Sequence, residues 1–110
     1  MALTYKILGQ AAPASTSTTT LYTVPLTRLG AVVSSISVCN QGSTATSFNI
    51  AVVASGTSLT TSCYINYLTP MPGYDTVSMA IGMTLATGDS ISVLATSYPV
   101  SFVAFGSEIS

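Results

Sequence analysis

The chain has 110 residues, the usual size of one compact domain, and only five charged side chains, Lys6, Arg28, Asp75, Asp89 and Glu108. With no His, a single Lys and a formal net charge of −1, it lacks the commonest general base and the cations that neutralise nucleic-acid phosphates. Its two cysteines fall short of the four nitrogen or sulfur ligands of a structural zinc site.

Apolar residues make up 48% of the chain, and roughly a third of it is Ser or Thr, so the polar surface must be mainly hydroxyl. Hydroxyls lose their water at lower cost than charges when a neighbour packs on them. A surface built to stay monomeric carries more net charge than this, so the composition predicts association with other copies or with partners. High hydropathy does not imply a membrane helix. Such a helix needs about 20 largely apolar residues in a row, and here each apolar run is cut by Ser, Thr, Asn or Gly. Lys6 and Gln10 interrupt the only stretch that could serve as a secretory h-region, despite the cleavage-like Ala12-Pro13-Ala14, so no signal peptide is expected. A membrane barrel would need aromatic girdles that these few aromatics cannot supply. Cys39 and Cys63 read as small buried apolar residues, and without a secretory context no disulfide is implied.

Taken in chain order, the period-two alternation predicts eight short strands. Leu3 to Leu8 is the first, with Leu3, Tyr5 and Ile7 on one side and Gly9 offering a bulge. Pro13 to Thr20 is a Thr/Ser-rich surface loop or an extended arm lying on a neighbour. Leu21 to Val24 is a short strand ended by Pro25. In Ala31 to Asn40, Val32, Ile36 and Val38 share one face and Ser35, Ser37 and Cys39 the other. Gln41-Gly42-Ser43 turns into Thr46 to Ala54, which presents Phe48, Ile50 and Val52 together and forms a hairpin or long-range pair with the strand before it. Cys63 to Leu68 carries Ile65 and Tyr67 against Tyr64 and Asn66, aromatics on both faces, as suits a strand buried in an interface. Thr69 to Gly73 is the strongest breaker. After Asp75, Val77, Met79, Ile81 and Met83 form one stripe, favoured as strand over a short helix by β-branched content and flanking glycines. Gly88-Asp89 turns into Ser90 to Thr96, Tyr98-Pro99 breaks again, and Val100 to Phe105 completes the set. The whole predicts an all-β fold, a single antiparallel β-sandwich, with a jelly-roll layout preferred narrowly over an immunoglobulin-like one.

No arrangement of reactive groups emerges. The many Ser and Thr residues have no adjacent His or Lys base to activate them. Asp75 and Asp89 are a conceivable carboxylate pair, but each sits beside a turn or strand start, where capping is the ordinary role. Asp-rich calcium loops and phosphate-cradling glycine loops are absent. Tyr5, Tyr22, Tyr64, Tyr67, Tyr74 and Tyr98 could stack sugars, although core or interface packing is the plainer reading. No catalytic residue, cofactor or metal is expected. The candidate interface residues are Tyr64, Tyr67, Tyr74 and Tyr98, of which Tyr74 and Tyr98 lie beside Pro or Gly breakers on loops.

Several segments, in this order, resemble small structural proteins and fibre modules of tailed bacteriophages, particularly those of cyanobacteria and marine bacteria. They are Lys6-Ile7-Leu8-Gly9-Gln10, Thr20 to Pro25, Ile36 to Asn40, Phe48 to Val52, Tyr64-Ile65, Leu85 with Gly88-Asp89 and Ile91 to Val93, Val100 to Phe102 and Phe105 to Glu108. The resemblance covers nearly the whole chain. It implies a non-enzymatic virion component, made in the host cytoplasm, whose partners are its own copies and virion proteins such as the major capsid protein or tail proteins. A capsid decoration or cement protein is the first expectation; a tail, baseplate or fibre component is the second. A carbohydrate-binding module is the rival of another class. The chain departs from such proteins in carrying less charge around Gln41 and Met71 to Tyr74, which implies a drier contact surface.

Overall fold

The computed structural model describes residues 3–12, 18–97 and 99–110. They form β1 (Leu3–Ala11), β2 (Thr19–Thr23), β3 (Gly30–Asn40), β4 (Thr46–Val53), a single 3-10 turn (Thr61–Cys63), β5 (Tyr64–Met71), β6 (Thr76–Ala86), β7 (Ser90–Ala95) and β8 (Val100–Ile109). The strands lie in two four-stranded antiparallel sheets, ordered β1-β8-β3-β6 and β2-β7-β4-β5. Pairs β1·β8, β2·β7, β3·β6 and β4·β5 nest inside one another, as in a long antiparallel ribbon that has been rolled up. Contacts of β3 with β8 and of β4 with β7 then join the turns of the roll. The predicted all-β sandwich is the fold. An immunoglobulin-like order would set the first two strands side by side, whereas β1 lies beside β8 and β2 is in the opposite sheet.

The core lies between the sheets. Phe48 of β4 and Phe102 of β8 meet edge to face with ring centroids 6.3 Å apart, surrounded by the buried Val33, Ile36, Ile50, Ile91 and Val93. Each such side chain, fully buried, contributes about 1.5–3 kcal/mol. The predicted stripe Val77, Met79, Ile81 and Met83 does face this core, but from its margin, and stays only partly buried.

Bulges change the phase of two strands and correct the expected faces. In β3 the register against β8 and β6 shifts between Val33 and Ser35. Ala31 and Val33 therefore face the core before the shift, and Ile36 and Val38 after it, while Val32 turns outward and leaves the face it was expected to share. In β1 the shift falls between Ile7 and Gly9. Leu8 enters the core, and Leu3, Tyr5 and Ile7 point to solvent. At Gly9 a β-carbon would collide with the Leu21 carbonyl, so the absence of a side chain is what lets β1 lie against β2.

Three further expectations change. β3 and β4 lie in different sheets, so the Gln41 turn is a crossover and β4 forms its hairpin with β5. β5 runs through Thr69 and Pro70 to Met71, because a proline without an N–H is tolerated on an edge strand. Thr19 and Thr20 belong to β2, paired with Val93 and Ser92; residues 13–17 of the predicted arm lie outside the described residues. At one end of the sandwich the buried Asn40 ties two loops. Its Nδ2 donates to the carbonyls of Thr44 (2.9 Å) and Pro72 (3.1 Å), and its Oδ1 accepts from the Gly42 N–H (3.0 Å).

Candidate interaction surface

The orientation of β1 follows from one carboxylate. Glu108 of β8 is only 2% exposed. Its Oε2 accepts from the Tyr22 hydroxyl at 2.7 Å, and its Oε1 faces Lys6 Nζ at 3.2 Å and Arg28 Nε at 3.4 Å. A buried charge is costly unless paired and hydrogen-bonded, and here both cations of the chain converge on it. The hydrogen bond from Tyr22, with help from Lys6 and Arg28, holds the Glu108 carboxyl below its ordinary range against the opposing effect of burial. Burial, and then the neighbouring carboxylate, push the Tyr22 hydroxyl well above the usual tyrosine range.

Lys6 reaches Glu108 only if the even residues of this part of β1 face inward. Leu3, Tyr5 and Ile7 must then face out, and they are 47%, 80% and 51% exposed. The register carries the same face across the sheet, setting Ile7 beside Phe105, Tyr5 beside Ser107 and Ser107 beside Val32. A shallow groove of about 420 Å³ runs between Tyr5, Val32, Ser34 and Phe105. Large aromatic and aliphatic side chains left in water on a flat sheet face mark an interaction surface. Sequence reasoning grouped Leu3, Tyr5 and Ile7 correctly but did not see that they point outward. The available signal was Lys6, the lone cation of the strand, in the opposite phase.

The candidate tyrosines are not one site. Tyr64 and Tyr67 meet edge to face with centroids 5.0 Å apart, on the same side of β5 rather than on opposite faces. Leu68 beside them takes a left-handed backbone (φ 48°), and Asn49 Oδ1 accepts its N–H at 2.7 Å. Tyr64 is half-buried and Tyr67 is 63% exposed, so β5 is an open edge and not a strand buried on two faces. With Thr61 they line a groove of about 390 Å³. Tyr74 lies at the opposite end of β5, 75% exposed on a loop whose N–H donates to the Gly42 carbonyl at 2.8 Å. Tyr98 lies outside the described residues.

Asp75 and Asp89 stand at opposite ends of β6, roughly 35 Å apart for an extended strand of this length, too far to act on one bond. Asp89 has the turn role expected of it, accepting from the N–H groups of Ser55 and Ala86, each at 2.9 Å. Among the described residues no cluster of His, Cys, Asp or Glu could hold a metal, and no helix is long and apolar enough to cross a membrane. Cys39 and Cys63 are free thiols near opposite ends of the sandwich. Hydrogen bonds from the Thr60 backbone N–H and hydroxyl stabilise the Cys63 thiolate and lower the thiol's pKa from its ordinary value. Comparison of the chain with known protein families, with characterised proteins and with solved structures gives no match.

Proposed function

We propose that the chain is a non-enzymatic structural protein of a virus particle, acting as an oligomeric decoration or cement protein on the capsid of a tailed bacteriophage. The observation that carries this reading is the apolar outer face of Leu3, Tyr5, Ile7 and Phe105, on a molecule whose only two cations are both turned toward one internal carboxylate. Such a face is suited to contact with protein, and the hydroxyl-rich surface around it desolvates at low cost. Repetition over a shell makes even a weak contact strong through multivalency.

The nested strand pairing supports reading the sandwich as a jelly roll, an architecture used by viral capsid proteins and also by lectins and cupins. This support is fold-level analogy, and it acts together with the family resemblance of the ordered segments. In this reading the apolar face docks on the major capsid protein, and the protein resides in the virion after assembly in the host cytoplasm.

The test is the copy number in purified particles, from quantitative gels. A decoration protein is present in proportion to the shell subunits. A stoichiometry matching the tail would move the protein to the baseplate or fibre, and absence from particles would overturn the virion reading. The groove at Tyr64 and Tyr67 gives the carbohydrate reading its one foothold, yet its two rings are inclined at 68° and present no shared flat platform for a sugar. A glycan array with Tyr67→Ala and Tyr74→Ala controls tests it, and silence there retires it.

A further inference from the structure

Every open sheet has two edges whose backbone groups can pair with another chain, and proteins usually blunt them with charge, proline, bulges or short length. The edges here are β1 and β6 in one sheet and β2 and β5 in the other. β1 carries the inward Lys6 and a bulge before Gly9. β2 has only five residues and an irregular register at Thr20 to Tyr22. β5 contains Pro70, two register shifts and the left-handed Leu68. β6 differs from all three: it has 11 residues, none charged and none proline. Its bulge, around Gly82 (φ 64°), leaves Thr76 to Ala80 in unbroken register with Cys39 to Ser35.

Beside this free edge, the inward side chains Val77 and Met79 are apolar yet only partly buried. They lie on the side of the sandwich where β5 and β6 do not close on each other as β1 and β2 do. We propose that copies of the chain associate by antiparallel pairing of their β6 edges about a two-fold axis at Ser78. The inference rests on the assembly reading above and names the surface through which copies meet.

Antiparallel pairing about that axis sets Ser78 opposite Ser78, Val77 opposite Met79 and Thr76 opposite Ala80. Residues on the same face then match, as the pleat requires. The contact is isologous, the commonest form of closed symmetric association. Val77 and Met79 cover their counterparts and extend the core across the axis. Charge also permits it, because each Asp75 would oppose an Ile81 rather than the other Asp75. A second copy is thus the occupant whose shape, polarity and symmetry fit this edge.

The experiment is sedimentation velocity on the wild type, Ser78→Lys, Ser78→Glu and an equimolar mixture of the two variants. Ser78 is exposed, so both variants should keep the wild-type circular dichroism spectrum. Like charges directly opposite each other destabilise a strand pair, so each variant alone should weaken dimerisation at least about tenfold, and the mixture should restore it. The double variant Thr76→Lys/Ala80→Lys, at two exposed positions that oppose each other across the axis, replaces Ser78→Lys if that variant misfolds. A folded variant that keeps the wild-type assembly, or a mixture that stays dissociated, overturns the β6 pairing and leaves the assembly reading intact. A wild type that is monomeric throughout overturns both.

Discussion

The two sides of the sandwich are built differently. On one side β1 and β2 lie against each other, Gly9 allowing the approach, and Lys6, Tyr22 and Arg28 converge on Glu108. On the other, β5 and β6 stay apart, and Val77, Met79, Ile81 and Met83 are left half-covered beside an edge with no charge. One side is thus sealed from within by the few ionic groups the chain has. The other keeps no ionic device against a neighbour. This division of labour explains how so few charges can serve the protein: they fix the orientation of β1, and through it the apolar outer face.

Substitutions on the sealed side should produce the largest effects on stability. Glu108→Ala strands Lys6 and Arg28 beside a cavity; removing one partner of a buried ion pair costs about 3–5 kcal/mol. Both cations are a third or more exposed, so the lower end, about 3 kcal/mol, is expected in urea denaturation. Gly9→Val forces a side chain into the Leu21 carbonyl and should cost about 2 kcal/mol or more through overpacking. Tyr22→Phe removes one hydrogen bond to a charged acceptor, for an expected loss of about 1.5–3 kcal/mol.

Acid should reproduce part of the Glu108 effect. The folded carboxyl titrates below its unfolded value, so its contribution is fully present above the unfolded pKa of about 4.3 and fades as pH falls through the lower folded value. Melting temperature should therefore drop below about pH 4 in the wild type, and less so in Glu108→Gln. The smallest stability effect belongs to the outer face. Tyr5→Lys, at a position 80% exposed, should change stability by no more than about 0.5 kcal/mol while abolishing the proposed attachment to particles.

How far these regions could be read from sequence also differs. Alternation located all eight strands, and the half-buried stripe of β6 was grouped correctly because its bulge around Gly82 leaves the alternation of faces unbroken. The outward turn of Val32 was hidden because a bulge shifts phase without changing composition, and that of Leu3, Tyr5 and Ile7 because it depends on the contact of Lys6 with the distant Glu108. Phe48 was grouped with Ile50 and Val52, but its contact with Phe102 was not legible and neither was the partner of most strands, since the nesting pairs β1 with β8 and β2 with β7 across much of the chain. Lys6 and Glu108 are 102 positions apart, and nothing local announces their contact. Tyr64 and Tyr67 were flagged as aromatics of an interface strand, and what lies between them is a register shift from Tyr64 to Asn66 against Ala51 and Ile50, which no glycine or proline signals.

In the proposed reading the folded protein associates with protein through surfaces free of charge. Equilibrium sedimentation of the purified wild type across the micromolar range addresses it most directly. A reversible dimer or larger symmetric oligomer that persists at high salt is expected, since no ion pair is proposed to hold it. A single species of monomer mass at every concentration would contradict that reading.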